Sequence, residues 1–145
     1  MKDNLKIKGK VKIIAYTKDG KVKEVREVNN LIVTAGKNYL ASFLAADPQS
    51  GTFMKYTAIG TGTNSPSSSD TALQSEHTRA AGTLSSQNNS WKNTTTNTVT
   101  SNVAITEAGL FSAAAGGTMF SRVVFSPVNL SSGEKLTTEW TITFS

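Results

Sequence analysis

Polar and apolar positions alternate with period two along much of the chain. In residues 5–15, Leu5, Ile7, Val11, Ile13 and Ala15 fall on one side, and Lys6, Lys8, Lys10 and Lys12 on the other. This pattern predicts a strand with one buried and one wet face. Asp19-Gly20 is a two-residue hairpin signal, and residues 21–28 return as the partner strand, ended by Asn29-Asn30. Residues 31–33 read as a short buried run. The last strand is the most regular: Leu136, Thr138, Trp140, Ile142 and Phe144 alternate with Thr137, Glu139, Thr141 and Thr143. Residues 105–122 read as two arms folded back on each other around Ala113-Ala114-Ala115-Gly116-Gly117. The two glycines there supply the positive φ that a tight connection requires. Glu107 and Arg122 stand on opposite arms and are expected to pair across the strands. Such a pair contributes under about 1 kcal/mol when exposed.

One stretch changes period. Thr34 is placed to cap a helix over residues 35–46, with Tyr39, Leu40, Phe43 and Leu44 as its apolar stripe and Asp47-Pro48 as its stop. A strand is expected over residues 53–59, then the loop Gly60-Thr61-Gly62-Thr63-Asn64-Ser65-Pro66. That loop lacks the Gly-Lys-Ser/Thr ending of a P-loop. Asp70 is expected to cap a single turn through Leu73. Residues 84–102 are polar and read as an exposed loop carrying Trp91. Strand character resumes at Val99, Val103 and Ile105, Ser126-Pro127 breaks the chain, and Ser131-Ser132-Gly133 turns it. Seven to nine strands about ten residues apart, with one short helix, predict a mainly β fold. The expected form is a single domain over residues 1–145, an antiparallel, jelly-roll-like β-sandwich whose residues 1–30 form a basic hairpin. A small β-barrel is the runner-up.

Composition supports this. Serine and threonine make up 37 of the 145 residues, which suits strands and turns. There is no cysteine, which excludes disulfides and thiolate metal sites, and no apolar run long enough for a membrane helix. The basic N-terminus lacks the apolar core of a signal peptide, so synthesis in a cytoplasm is expected. The net charge of +5 lies entirely in residues 1–30, and the rest of the chain is balanced. Lys6, Lys8, Lys10 and Lys12, with Lys21, Lys23 and Arg26 across the turn, are therefore the candidate partner interface. A basic patch speeds encounter with acidic partners. The plain alternative is a solvated strand face whose lysines guard a sheet edge.

Catalytic signals are weak. His77 is the single histidine, no Gly-x-Ser-x-Gly elbow occurs, and the ten carboxylates are scattered. No enzyme activity, cofactor or metal is expected. Three Asn-x-Ser/Thr matches, at Asn88, Asn93 and Asn129, read as chance in so Asn/Ser/Thr-rich a chain. Trp91, in a polar stretch, is the remaining candidate contact residue, either as an exposed aromatic anchor or packed beneath its loop.

The segment Ala58-Ile59-Gly60-Thr61-Gly62-Thr63, a Pro/Ser loop, Asp70-Thr71-Ala72-Leu73, Glu76 and Arg79 resembles a module of small virion proteins of tailed bacteriophages. Ile105-Thr106-Glu107-Ala108-Gly109-Leu110-Phe111, the turn Gly116-Gly117-Thr118-Met119 with Arg122, and Trp140-Thr141-Ile142 continue the resemblance, which spans residues 22–145 and is poorest near residues 80–100. It implies a non-enzymatic structural protein of the virion, made in the bacterial host cytoplasm. The foremost role implied is a capsid decoration protein that binds the major capsid protein and stabilises the shell. A tail-fibre or baseplate component is the alternative. A carbohydrate-binding or hydrolase domain is the rival that an exposed Trp91 would favour. Neither membrane nor nucleic acid is expected as a partner. Low charge and the small residues 113–117 permit close subunit packing, so a homotrimer is expected.

Overall fold

The computed structural model describes residues 5–45 and 53–145, so the expected helix stop at Asp47-Pro48 lies outside the described residues. Among these, nine strands and one helix occur: β1 (Ile7–Tyr16), β2 (Val22–Ile32), α1 (Thr34–Ala45), β3 (Tyr56–Gly60), β4 (Glu76–Ala81), β5 (Thr83–Gln87), β6 (Ser90–Thr98), β7 (Val103–Phe111), β8 (Met119–Leu130) and β9 (Lys135–Phe144). The fold is mainly β. The strands form one antiparallel sheet in the order β4-β3-β7-β8-β2-β1-β9-β6-β5. It curls until β4 lies against β6, which nearly closes a barrel.

Period two decides what points inward. Val11, Ile13 and Ala15 of β1 and Leu136, Trp140 and Ile142 of β9 are buried, as their alternation predicts. They meet Ile59, Ile105, Leu110, Phe120 and Val123 from the opposite wall. Leu5, expected with them, precedes β1 and is exposed. β2 runs past Asn29-Asn30 to Ile32, because its last two residues change partner from β1 to β8.

Two expectations fail for identifiable reasons. Residues 84–102 contain a hairpin, β5 and β6, turned at Asn88-Asn89, where Asn88 takes a φ of 54°. Their inward positions are polar, which hides the strand pattern. Asn93, Thr95 and Asn97 are buried; Asn93 and Thr95 are bonded across the barrel, whereas Asn97 donates to the Thr57 carbonyl at 3.4 Å and its Oδ1 has no partner among the described residues. The Trp140 indole donates to Thr57 Oγ1 at 3.1 Å; Thr57 and Thr95 share a hydrogen bond of 3.1 Å; Thr95 donates to Asn93 Oδ1 at 2.6 Å; and the Asn93 amide donates to the Met54 and Lys55 carbonyls. A buried polar group is tolerated when bonded in this way. Likewise Ser126-Pro127 does not end a strand. Ile105 pairs with Val128 and Glu107 with Val124, so β8 carries two extra residues there. A bulge of this kind is where a strand accepts proline, which has no N–H to donate.

Helix α1 packs on β8 through Gly36, its one buried residue. A Cβ there would overlap the Phe120 backbone, so only glycine permits this approach. Tyr39 and Phe43 meet Phe53, whose ring also stands edge-on to Trp91 and Phe120. Leu44, expected in the stripe, is largely exposed.

The Glu107–Arg122 pair is the largest departure in environment. The two do pair across the strands, at 3.0 Å, but both side chains are buried. Glu107 also accepts backbone N–H bonds from Gly62 (2.7 Å), Gln74 (3.0 Å) and Ser75 (2.8 Å). Arg122 reaches Asp70 at 3.1 Å and the Asn64 side chain at 2.6 Å. The long connection between β3 and β4 is thus tied down at both ends. It forms no helical turn; Asp70 instead accepts from Ser67 N and Arg122. Removing one partner leaves the other charge buried and unmatched, so Arg122→Met is expected to cost about 3–5 kcal/mol, read from the denaturant midpoint. A loss below about 1 kcal/mol would mean that water takes over the role of the guanidinium.

Candidate functional site

β1 lies inside the sheet, paired with β2 on one side and β9 on the other. Its outward residues Lys8, Lys10 and Lys12 recur about every 6.8 Å. Lys6 precedes the strand, exposed, with its backbone bonded to Ser145. The pairing registers extend the lysine row across the sheet. Lys10 stands beside Thr141 of β9, and Thr141 beside Lys92 of β6. Lys12 stands between Glu27 and Glu139. Lys8 and Lys10 have threonine or asparagine as direct neighbours on the described strands, so the unbalanced charge is Lys8, Lys10 and Lys92. Two unit charges about 7 Å apart in water repel by about 0.6 kcal/mol, a load a strand bears easily.

Lys92 was missed by sequence reasoning. Its signal was the alternation of Lys92, Thr94, Thr96 and Thr98 against Asn93, Thr95 and Asn97, which is legible only if buried polar residues are allowed on a strand.

The other candidates do not join this face as one patch. Lys21 sits exposed at the β1–β2 turn, its N–H bonded to Thr17 Oγ1. Arg26 stands opposite Ile13, on the inward side of β2. There β2 and β8 have parted after only two paired residues, Leu31–Arg122 and Ile32–Ser121. The Arg26 guanidinium fills the gap, donating to the Ser126 and Pro127 carbonyls and pairing with Glu24. Lys23 Nζ donates to the Asn129 carbonyl at 3.0 Å and to Glu134 at 2.5 Å. Two basic side chains therefore replace the missing ladder bonds along β8. Trp91 points inward, half-buried, opposite Ile142 and against Phe53, where it lines an open apolar recess with Leu40, Phe43 and Phe144.

Among the described residues, no group of three or more His, Asp or Glu side chains is arranged to hold a metal ion. The Glu107 carboxylate is committed to three N–H groups and an arginine. Arg79 is similarly engaged: it pairs with Glu76, lies 3.9 Å over the Phe111 ring and donates to the Ala113 and Gly116 carbonyls. These charges hold loops, whereas Lys8, Lys10 and Lys92 are exposed on the outward face.

No family model matches the chain, and neither a curated protein nor a solved structure matches it.

Glu134 gives the clearest pH dependence. The hydrogen bond from Lys23, and then that from Ser131 N–H, hold its carboxyl below the ordinary value of 4.5. A lowered folded-state value means that the stabilisation is present above the unfolded value and is lost as pH falls through the folded one. Wild type is expected to exceed Glu134→Gln in stability near neutrality, with the two denaturation midpoints converging as pH drops below 4.5. Parallel curves down to about pH 3 would show that the pair contributes nothing that titrates.

Proposed function

We propose that this chain is a non-enzymatic structural component of a tailed-phage particle, a decoration protein that lays its lysine face on an acidic surface of the major capsid protein. The observation that carries the reading is the lysine row on a strand paired at both edges, in a sheet that is otherwise rich in outward threonine. Such a face offers charge on a strand held at both edges, which suits adhesion to a large regular surface. The residues of the phage-like pattern support it by their placement. Gly62, Asp70, Glu107 and Arg122 meet in one buried cluster, Arg79 lies on Phe111, and Trp140 bonds Thr57. They make a stiff scaffold. In this reading, the β2-to-β5 and β2-to-β4 halves of the sheet act as the two layers of a jelly-roll-like sandwich, and copies associate as a homo-oligomer. The virion is its location. A tail-fibre or baseplate position differs in copy number, a few to tens per particle against hundreds.

Reversing Lys8 and Lys10 to Glu should slow attachment to undecorated capsids about tenfold at low ionic strength, and raised salt should slow the wild type in the same way. Attachment unchanged by either would remove the lysine face from the interface. Particle imaging that finds the protein only on the tail would move the proposal there.

A further inference from the structure

The two ends of the sheet are β4 and β5, joined through Gly82. β4 turns over β6, but β5 packs against β6 and little else. Among the described residues no strand pairs with its other edge, whose backbone groups are unpaired there. Exposed edges of this kind are normally blunted by a charge, a proline or a bulge. β5 has none. From Ala80 to Trp91 the chain holds no charged residue and no proline, in a protein of net charge +5. β5 pairs with β6 in regular register from Thr83–Thr94 to Gln87–Ser90.

We propose that β5 is a self-association edge, which pairs antiparallel with β5 of a second copy about a twofold axis. The hydrogen-bonding phase fits. A two-residue turn at Asn88-Asn89 makes Gln87–Ser90 the closing hydrogen-bonded pair, so the backbone groups of Gln87, Ser85 and Thr83 face β6. Those of Leu84 and Ser86 face outward. With the axis at Ser85, Leu84 of one copy meets Ser86 of the other, twice, and four backbone hydrogen bonds form. The outward-pointing side chains Thr83, Ser85 and Gln87 are uncharged; across the joint Ser85 meets Ser85 of the second copy and Thr83 meets its Gln87.

Charge selects the occupant. Two copies of a basic protein repel over the lysine face, and this twelve-residue neutral stretch is where they approach with least of that penalty, Lys92 beside Ser85 being the nearest unbalanced charge. An acidic partner would gain nothing here and would be drawn to the lysines instead. The contact is small, so association should grow with concentration. It is independent of the virion reading, and it gives a twofold contact where the small residues 113–117 suggest a threefold one.

Sedimentation velocity tests it. The wild-type mass should rise toward twice that of the monomer as concentration increases. Ser86→Pro removes an outward N–H and leaves the β5–β6 ladder intact, so it should stay monomeric with an unchanged far-UV circular dichroism spectrum. Ser85→Lys keeps every N–H but sets two like charges face to face across the axis. It should lose the dimer at low salt and recover it in part at high salt. A monomer at all concentrations, a threefold mass, or a dimer that survives both substitutions would overturn the proposal.

Discussion

The buried pair Glu107–Arg122 fixes more of this molecule than any other contact. Both side chains stand on neighbouring inner strands, β7 and β8, under the long connection from β3 to β4. An isolated carboxylate there would be driven to neutralise. Three backbone N–H groups from that connection and one guanidinium meet it instead. The energy of such a cluster relative to an apolar replacement can be near zero. Its consequence is specificity: the connection has one place where Gly62, Gln74 and Ser75 all find an acceptor, and Arg122 finds Asp70 and Asn64. Position, and with it the path of the chain into β4, follows from charge matching more than from apolar area.

The same logic recurs where β2 leaves β8. Parting strands leave the exposed carbonyls of Ser126, Pro127 and Asn129 on β8 without a ladder donor. Arg26 and Lys23 supply it from β2. Two of the basic residues that inflate the charge of the first thirty positions are thus structural. The unbalanced field over the outward face comes from Lys6, Lys8, Lys10 and Lys92, arranged across β1 and β6 on one side of the sheet, while Lys12 is flanked by Glu27 and Glu139. Net charge counted along the chain overstated the patch in sequence and understated its width in space.

β1, β9, the Asp19-Gly20 turn and α1 were legible because each shows a local signal: strict alternation, a turn dipeptide, or an apolar stripe behind a threonine. The β5–β6 hairpin was illegible because Asn93, Thr95 and Asn97 are buried against partners at Met54, Lys55 and Thr57, about forty residues away in sequence, so no local rule marks them as inward. Glu107 and Arg122 could be paired from the hairpin alone. Their burial could not, since the covering loop arrives from residues 61–75. Lys92 was lost along with its strand. In each case the missing information is a long-range polar contact, which leaves no periodicity behind.

The distribution of charge over the sheet bears on whether the lysine row is only a solubilising device. Lysines that prevent aggregation belong on edge strands, where they oppose the docking of a second sheet. Here the arrangement is reversed. The lysine-bearing strand β1 has neighbours on both sides, and its backbone needs no protection. The open strand β5 carries no charge at all. Edge protection therefore does not account for the row at Lys8, Lys10 and Lys12. What the row does change is the potential over the outward face, extended by Lys92 two strands away. A field of that extent acts on approaching surfaces. In the dimer proposed above, the neutral edge is where a second copy pairs.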